Sequence, residues 1–202
     1  MIPALDDAVE LLERSLAYTR VALADVDAAV LDRPTPCAAW TLDGLLAHMS
    51  DALDAFTEAA AGWVEVRPPD PAPTRVGALQ DKACALLGAW TGATPGIVTV
   101  GDLPVTGRLL LATAALEVAV HGWDVGQATG RCTPVPPRLA RDLLPVAWAV
   151  VTDADRGERF AEPLAPCAPS YDARLLAFLG RDLTGPPRPI RAKPGTEPGA
   201  AS

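Results

Sequence analysis

Basic residues are in short supply in this chain. Its 202 residues include 17 Lys and Arg against 25 Asp and Glu, a formal net charge of −8 at pH 7. Binding to a nucleic acid needs a basic face, and the sequence offers none, so DNA and RNA are excluded as expected partners. The N-terminal MIPALDDAVELLE is acidic where a secretory leader would be basic and then apolar. No uninterrupted apolar run approaches the ~20 residues of a bilayer-crossing helix. A soluble, cytoplasmic protein without a membrane partner is expected. Paired cysteines are missing too: Cys37, Cys84, Cys132 and Cys167 form no CxxC. That spacing argues against a zinc knuckle or a disulfide framework and suits buried packing thiols. Runs of β-branched residues are scarce, which disfavours a large sheet.

What the chain does contain favours helices. It is 50% hydrophobic and 21% charged, enough apolar surface for a real core. Ala, Leu, Asp, Glu and Arg dominate. The length suits one domain, expected over 2–182. Leu5, Val9, Leu12 and Leu16 recur at helical spacing and predict a first helix from Ala4 to about Ala24. RPTPC at 33–37 breaks it, and Thr41 with Asp43 predicts the start of a second helix, Leu42 to about Gly62. A proline-rich loop at 66–74 precedes a third helix, Arg75 to Thr91. GIVTVGDLPVTG at 96–107 reads as extended, a strand or hairpin. The fourth helix, Arg108 to Thr129, is apolar nearly all round, as a helix enclosed by neighbours should be. Pro136 and Pro137 open a fifth, kinked at Pro145, and YDARLLAFLG gives a short last one. The expected fold is all-α, a four-helix bundle with short C-terminal helical additions. The Pro/Gly-rich tail at 183–202 is expected to be disordered.

Within LLLATAALEVAV, residues 109–120, Glu117 is the sole charge. An ionised carboxylate in such a run is costly unless it is paired or coordinated. His121 lies four residues on and Asp124 three further, so the three share one helical stripe. The chain has 2 histidines, and the other, His48, lies on the flank of the second helix in line with Leu45 and Ala52. His48, Glu117 and His121 would make a His₂Glu set, the three-ligand arrangement of a catalytic zinc. A hydrogen-bonded Glu117–His121 pair, with no metal, fits the spacing equally well.

Three segments carry a resemblance. TPCAAWTLDGLLAHM (35–49) resembles the TPCxxWTxxxLxxH segment of the DinB-like, mycothiol-dependent maleylpyruvate isomerase superfamily. ALEVAVHGWDVGQATGR (115–131) resembles its second segment, with HGWD and an ATG helix end. DARLLAFLGRD (172–182) is similar to the end of a short actinobacterial branch described as metal-binding. The match runs in order from about Leu5 to Asp182. The resemblance implies the same DinB-like bundle and metal ligands at His48, Glu117 and His121. It also implies a divalent metal, zinc first with iron or nickel as alternatives, and a low-molecular-weight thiol such as mycothiol as cosubstrate. The implied activity is thiol S-transfer to a small electrophile, or its isomerisation. The isomerase proper continues into a second domain, whereas here a short helix and a tail follow residue 155.

Around that set, Asp124 is the candidate for orienting a histidine or handling a proton. Trp40 and Trp123 flank the ligand segments and are candidate pocket walls, and Arg108 and Arg131 are candidates for attracting an anionic substrate. A natural-product tailoring enzyme or cyclase on the same scaffold, or a non-catalytic binding module, are the competing readings. A small-molecule substrate and a monomer or homodimer are expected.

Overall fold

The structure, a computed structural model, describes residues 5–37, 40–64, 76–92, 96–157 and 159–183. The predicted loop at 66–74 and all but Leu183 of the predicted tail lie outside those residues. Four long helices make the body: α1 (Leu5–Ala22), α2 (Leu42–Ala59), α3 (Val76–Gly92) and α4 (Gly107–Thr129). Two more, α5 (Pro137–Val150) and α6 (Tyr171–Phe178), pack on each other beyond them. Helix α1 lies on α4 and α3, and α2 on α3 and α4.

The helix ends follow local chemistry. Thr41 caps α2, its side-chain oxygen accepting from Gly44 N at 3.4 Å, and Asp43 stands in the first turn. Gly130 ends α4 in the left-handed region at φ 85°. Arg33 from the α1–α2 connection donates to the carbonyls of Ala128 and Thr129 at 3.2 and 3.3 Å, satisfying orphan acceptors there.

Helix α4 has no polar face because it has no free side, and it is buried on nearly every residue from Leu111 to Gly126. By length and composition alone it is apolar enough to cross a membrane, but 78% of that apolar window is buried inside the molecule, as in the core helix of a bundle. Its contact with α1 is close because Gly122 has no side chain. Thr19 sits against that glycine and donates to Val118 O at 2.7 Å.

Between α2 and α4 the chain forms a small sheet, β1 (Trp63–Val64), β2 (Ile97–Val100) and β3 (Leu103–Thr106), in that order. Strands β2 and β3 are the hairpin predicted at 96–107, with Thr99 opposite Pro104 and Val100 opposite Leu103. Strand β1 pairs parallel to β2 and was not predicted, since two residues leave no periodicity to read. The mostly helical class stands with that addition.

The cysteine expectation needs correcting. Cys37 is buried, but Cys84, Cys132 and Cys167 are exposed, and all four are free thiols. Cys84 lies on α3 with its side chain exposed, while Cys132 and Cys167 fall in connections that no helix covers.

Candidate metal centre

Helix α4 sets Glu117, His121 and Asp124 on one stripe, and α2 brings His48 against it. The two imidazoles converge on one oxygen. His48 Nε2 lies 2.7 Å and His121 Nε2 3.0 Å from Glu117 Oε1. The rings stand edge to face, their centroids 5.0 Å apart. The ligand-capable atoms of His48, Glu117 and His121 all fall within 4.8 Å of one another.

The other side of His121 decides what its Nε2 can do. Nδ1 lies 3.0 Å from Asp124 Oδ2. Asp124 is fully buried and also receives Arg181 through Nη2 at 3.0 Å and Nε at 3.4 Å. With Asp124 held as an anion, Nδ1 of His121 must donate to it. A neutral His121 would then aim its Nε2 lone pair at the Glu117 carboxylate, so a cation is needed between them. A proton or a metal ion meets that need. Without metal, burial acts against the charged imidazole, but Glu117 and Asp124 outweigh it and raise the pKa to about 9. Burial likewise opposes ionisation of Glu117, and His121 and then His48 more than reverse it. Two imidazoles and a carboxylate, one imidazole oriented by a second carboxylate, are a donor set that fits zinc or a similar divalent ion.

Arg181 owes its position to how α6 ends. Gly180 takes the left-handed conformation at φ 75°, its N–H returns to Ala177 O at 3.0 Å, and the Arg181 N–H returns to Leu176 O at 2.8 Å. That is the Schellman ending of a helix, and it turns Arg181 inward. Arg181 also donates to Leu179 O at 3.0 Å. Burial opposes its charge, and Asp124 restores it, so its pKa rises. Sequence reading missed this residue. Glycine then arginine directly after the last helical turn was the available signal.

A second trio, Cys37, His121 and Asp124, also lies within metal-binding reach. Its chemistry is less apt. Burial pushes the Cys37 thiol up to about 12, and Asp124 is already committed to Arg181.

A cavity of about 240 Å³ opens beside Glu117 and the two histidines, walled by Cys37, Trp40, Leu116, Phe160, Arg159 and Arg181. Trp40 lines the cavity, its ring centroid 4.5 Å from that of His48. Trp123 does not. It is 2% exposed and packs in the core. Arg108 and Arg131 also stand away from this cavity, a correction with a simple cause. Arg108 lies nine residues before Glu117, at helical rise roughly 14 Å along α4, and Arg131 lies past the Gly130 turn that ends α4. Arg131 is held by Asp25, through Nε at 2.6 Å and Nη2 at 2.8 Å. The arginines at the cavity are Arg159 and Arg181, both from the C-terminal additions.

Residues 12–126 match the model of the mycothiol maleylpyruvate isomerase N-terminal domain. An uncharacterized protein of Mycobacterium tuberculosis, found in two strains, is 33% identical over 170 residues, covering 80% of this chain and 90% of the relative. The crystal structure of the mycothiol-dependent maleylpyruvate isomerase is similar at 20% identity with a TM-score of 0.47, over 69% of this chain and 68% of that one. The matched stretch contains His48, Glu117, His121 and Asp124 and stops before Arg181. The chain therefore belongs to the family of the mycothiol maleylpyruvate isomerase N-terminal domain.

Proposed function

We propose that this protein is a metal-dependent enzyme that activates a low-molecular-weight thiol of the mycothiol kind, transferring its sulfur to, or isomerising, a small electrophilic substrate. The observation that carries the reading is the convergence of His48 Nε2 and His121 Nε2 on a single oxygen of Glu117. Family membership supports the thiol. A divalent cation held there, zinc first and iron or nickel otherwise, would lower the pKa of a coordinated thiol and so supply a thiolate near neutral pH.

The chain's own residues do the rest. His48 and His121 give neutral nitrogen donors and Glu117 a negative one. Asp124 holds the Nδ1 proton of His121 and thereby presents Nε2 as the donor, while Arg181 keeps Asp124 ionised. Trp40 and Phe160 line the cavity beside the donors. Arg159 stands exposed at the cavity, where its charge favours an anionic group on either reactant. The acidic charge balance and the burial of α4 support a soluble protein acting on a small molecule.

Metal analysis of the full chain tests this directly. Protein purified from zinc-supplemented cells should carry stoichiometric metal and consume mycothiol with an electrophilic acceptor. Glu117→Gln should lose metal and activity together, because the amide supplies no negative donor to the cation. Wild-type protein that takes up no metal would overturn the reading.

A further inference from the structure

Glu117 has a second neighbour that the metal reading does not use. A cleft of about 560 Å³ runs between α1, α2, α3 and α4, and Glu117 and Val118 form part of its wall. Glu117 therefore stands between this cleft and the 240 Å³ cavity, lining both. The two spaces differ in chemistry. The smaller one is ringed by imidazole, indole and guanidinium groups. The larger is walled by Leu16, Met49, Leu53, Phe56, Leu79 and Leu87.

Three features mark the cleft as a binding site and not as loose packing. Protein interiors are close-packed, and a space of this size between four helices is not what apolar side chains leave by default. The gap exists because alanines face it, Ala52 from α2 and Ala83 from α3, where larger residues would fill it. Its volume lies in the ~300–1,000 Å³ range of small-molecule sites, which the other cavity does not reach. Apart from Glu117, its charged lining groups sit at the margin, with Arg20 and Asp81 both exposed.

We propose that this cleft binds the body of the substrate, an uncharged, hydrocarbon-rich small molecule whose polar end reaches Glu117. A hydrophilic thiol would leave its polar groups unpaired against the leucines, so the cleft suits the acceptor. Such an acceptor differs from the small diacid in the family's name. The assignment rests on the metal reading only for what happens at the polar end. Binding of the apolar body stands alone.

Cys84 lines the cleft and is exposed, while Cys132 and Cys167 are exposed elsewhere. The full-length protein thus carries its own reporter. Titration with the neutral fluorophore N-phenylnaphthylamine should give saturable emission. At ten times its dissociation constant the probe should slow alkylation of Cys84 by iodoacetamide about tenfold, because only unliganded protein reacts. Cys132 and Cys167 should react unchanged. Ala83→Trp, which fills the cleft, should abolish probe binding and keep normal zinc content. Glu117→Gln should lose zinc and still bind the probe, which separates the two readings. If Glu117→Gln kept its zinc, the metal reading would fail and the cleft would stand. Equal alkylation of Cys84 with and without saturating probe overturns the cleft assignment. So does a folded Ala83→Trp that binds the probe like wild type. Should Ala83→Trp not fold, the wild-type protection experiment decides.

Discussion

Two arginine–aspartate pairs in this molecule look alike on paper. Arg131 reaches Asp25 at 2.6 and 2.8 Å, and Arg181 reaches Asp124 at 3.0 and 3.4 Å. The first pair is the shorter, yet its side chains are 32% and 46% exposed, against 4% and 0% for the second. Water already solvates Arg131 and Asp25 and screens them from each other. Arg181 and Asp124 have given up that solvation and rely on each other, His121, the Leu179 carbonyl and the Phe160 ring. Burial and not bond length sets what each pair is worth, and it also decides which pair can orient a ligand.

The largest expected effect is at Arg181. Arg181→Met leaves Asp124 buried without its cation, and loss of one partner of such a pair costs about 3–5 kcal/mol. Urea unfolding should show a loss of that size, with weakened zinc uptake because His121 loses its orientation. Adding Asp124→Leu should recover much of the stability and none of the zinc. If the single variant is as stable as wild type, burial is not what distinguishes the pairs.

A smaller effect is expected at Gly180, whose left-handed conformation turns Arg181 inward. A Cβ there would lie 2.6 Å from Ala161 Cβ, at a φ that side chains avoid. Gly180→Ala should cost on the order of 1–3 kcal/mol by thermal melting, and zinc affinity should fall with it. Zinc affinity unchanged in the face of a lower melting temperature would mean that Arg181 finds its place without the turn.

Chemical reactivity gives a subtler contrast. Burial holds the Cys37 thiol protonated up to about pH 12. In the native protein at pH 8 iodoacetamide should modify Cys84, Cys132 and Cys167 and spare Cys37 until denaturant is added. The sign also works through pH. A thiol whose pKa is raised by folding stays neutral while the unfolded chain ionises, so Cys37 should begin to destabilise the fold above its ordinary value near 9. Cys37→Ala should soften that alkaline decline. At the bottom of the scale, Asp25→Asn should leave the melting temperature and zinc content indistinguishable from wild type, and a clear loss in either would give the exposed pair a role that its solvation argues against.

These contrasts also show what could be read from the sequence. Helix α1, α2 with its Thr41 cap, and α4 were legible because periodicity and capping are local properties. Spacing placed Glu117 and His121 on one stripe, and the cost of a lone charge in an apolar run asked for a partner, but His48 joined them chiefly through the resemblance of residues 35–49 and 115–131 to the two family segments. Arg181 was not legible, because its partner Asp124 is 57 residues away and only the turn at Gly180 joins them. Arg108 and Arg131 were named for charge and nearness in sequence, but the rise of α4 carries Arg108 away from Glu117, and Arg131 lies past the end of α4, held by Asp25. The exposed cysteines escaped notice because average burial of a residue type says nothing about one helix face.

Pro104 has a consequence for how this protein behaves in a crowd. Strand β3 is the outer strand of the small sheet, and an outer strand invites pairing with a neighbouring molecule. Gly107 donates to Gly96 O at 3.2 Å, and alternation along an antiparallel ladder then makes the pair of Thr99 and Pro104 one without hydrogen bonds between them. The nitrogen of Pro104 faces outward, where a free N–H would otherwise be on offer. Beside it Leu103 is 69% exposed, a greasy edge that such a donor would make adhesive. The proline removes one outward donor from that edge and so weakens its pairing with a second copy.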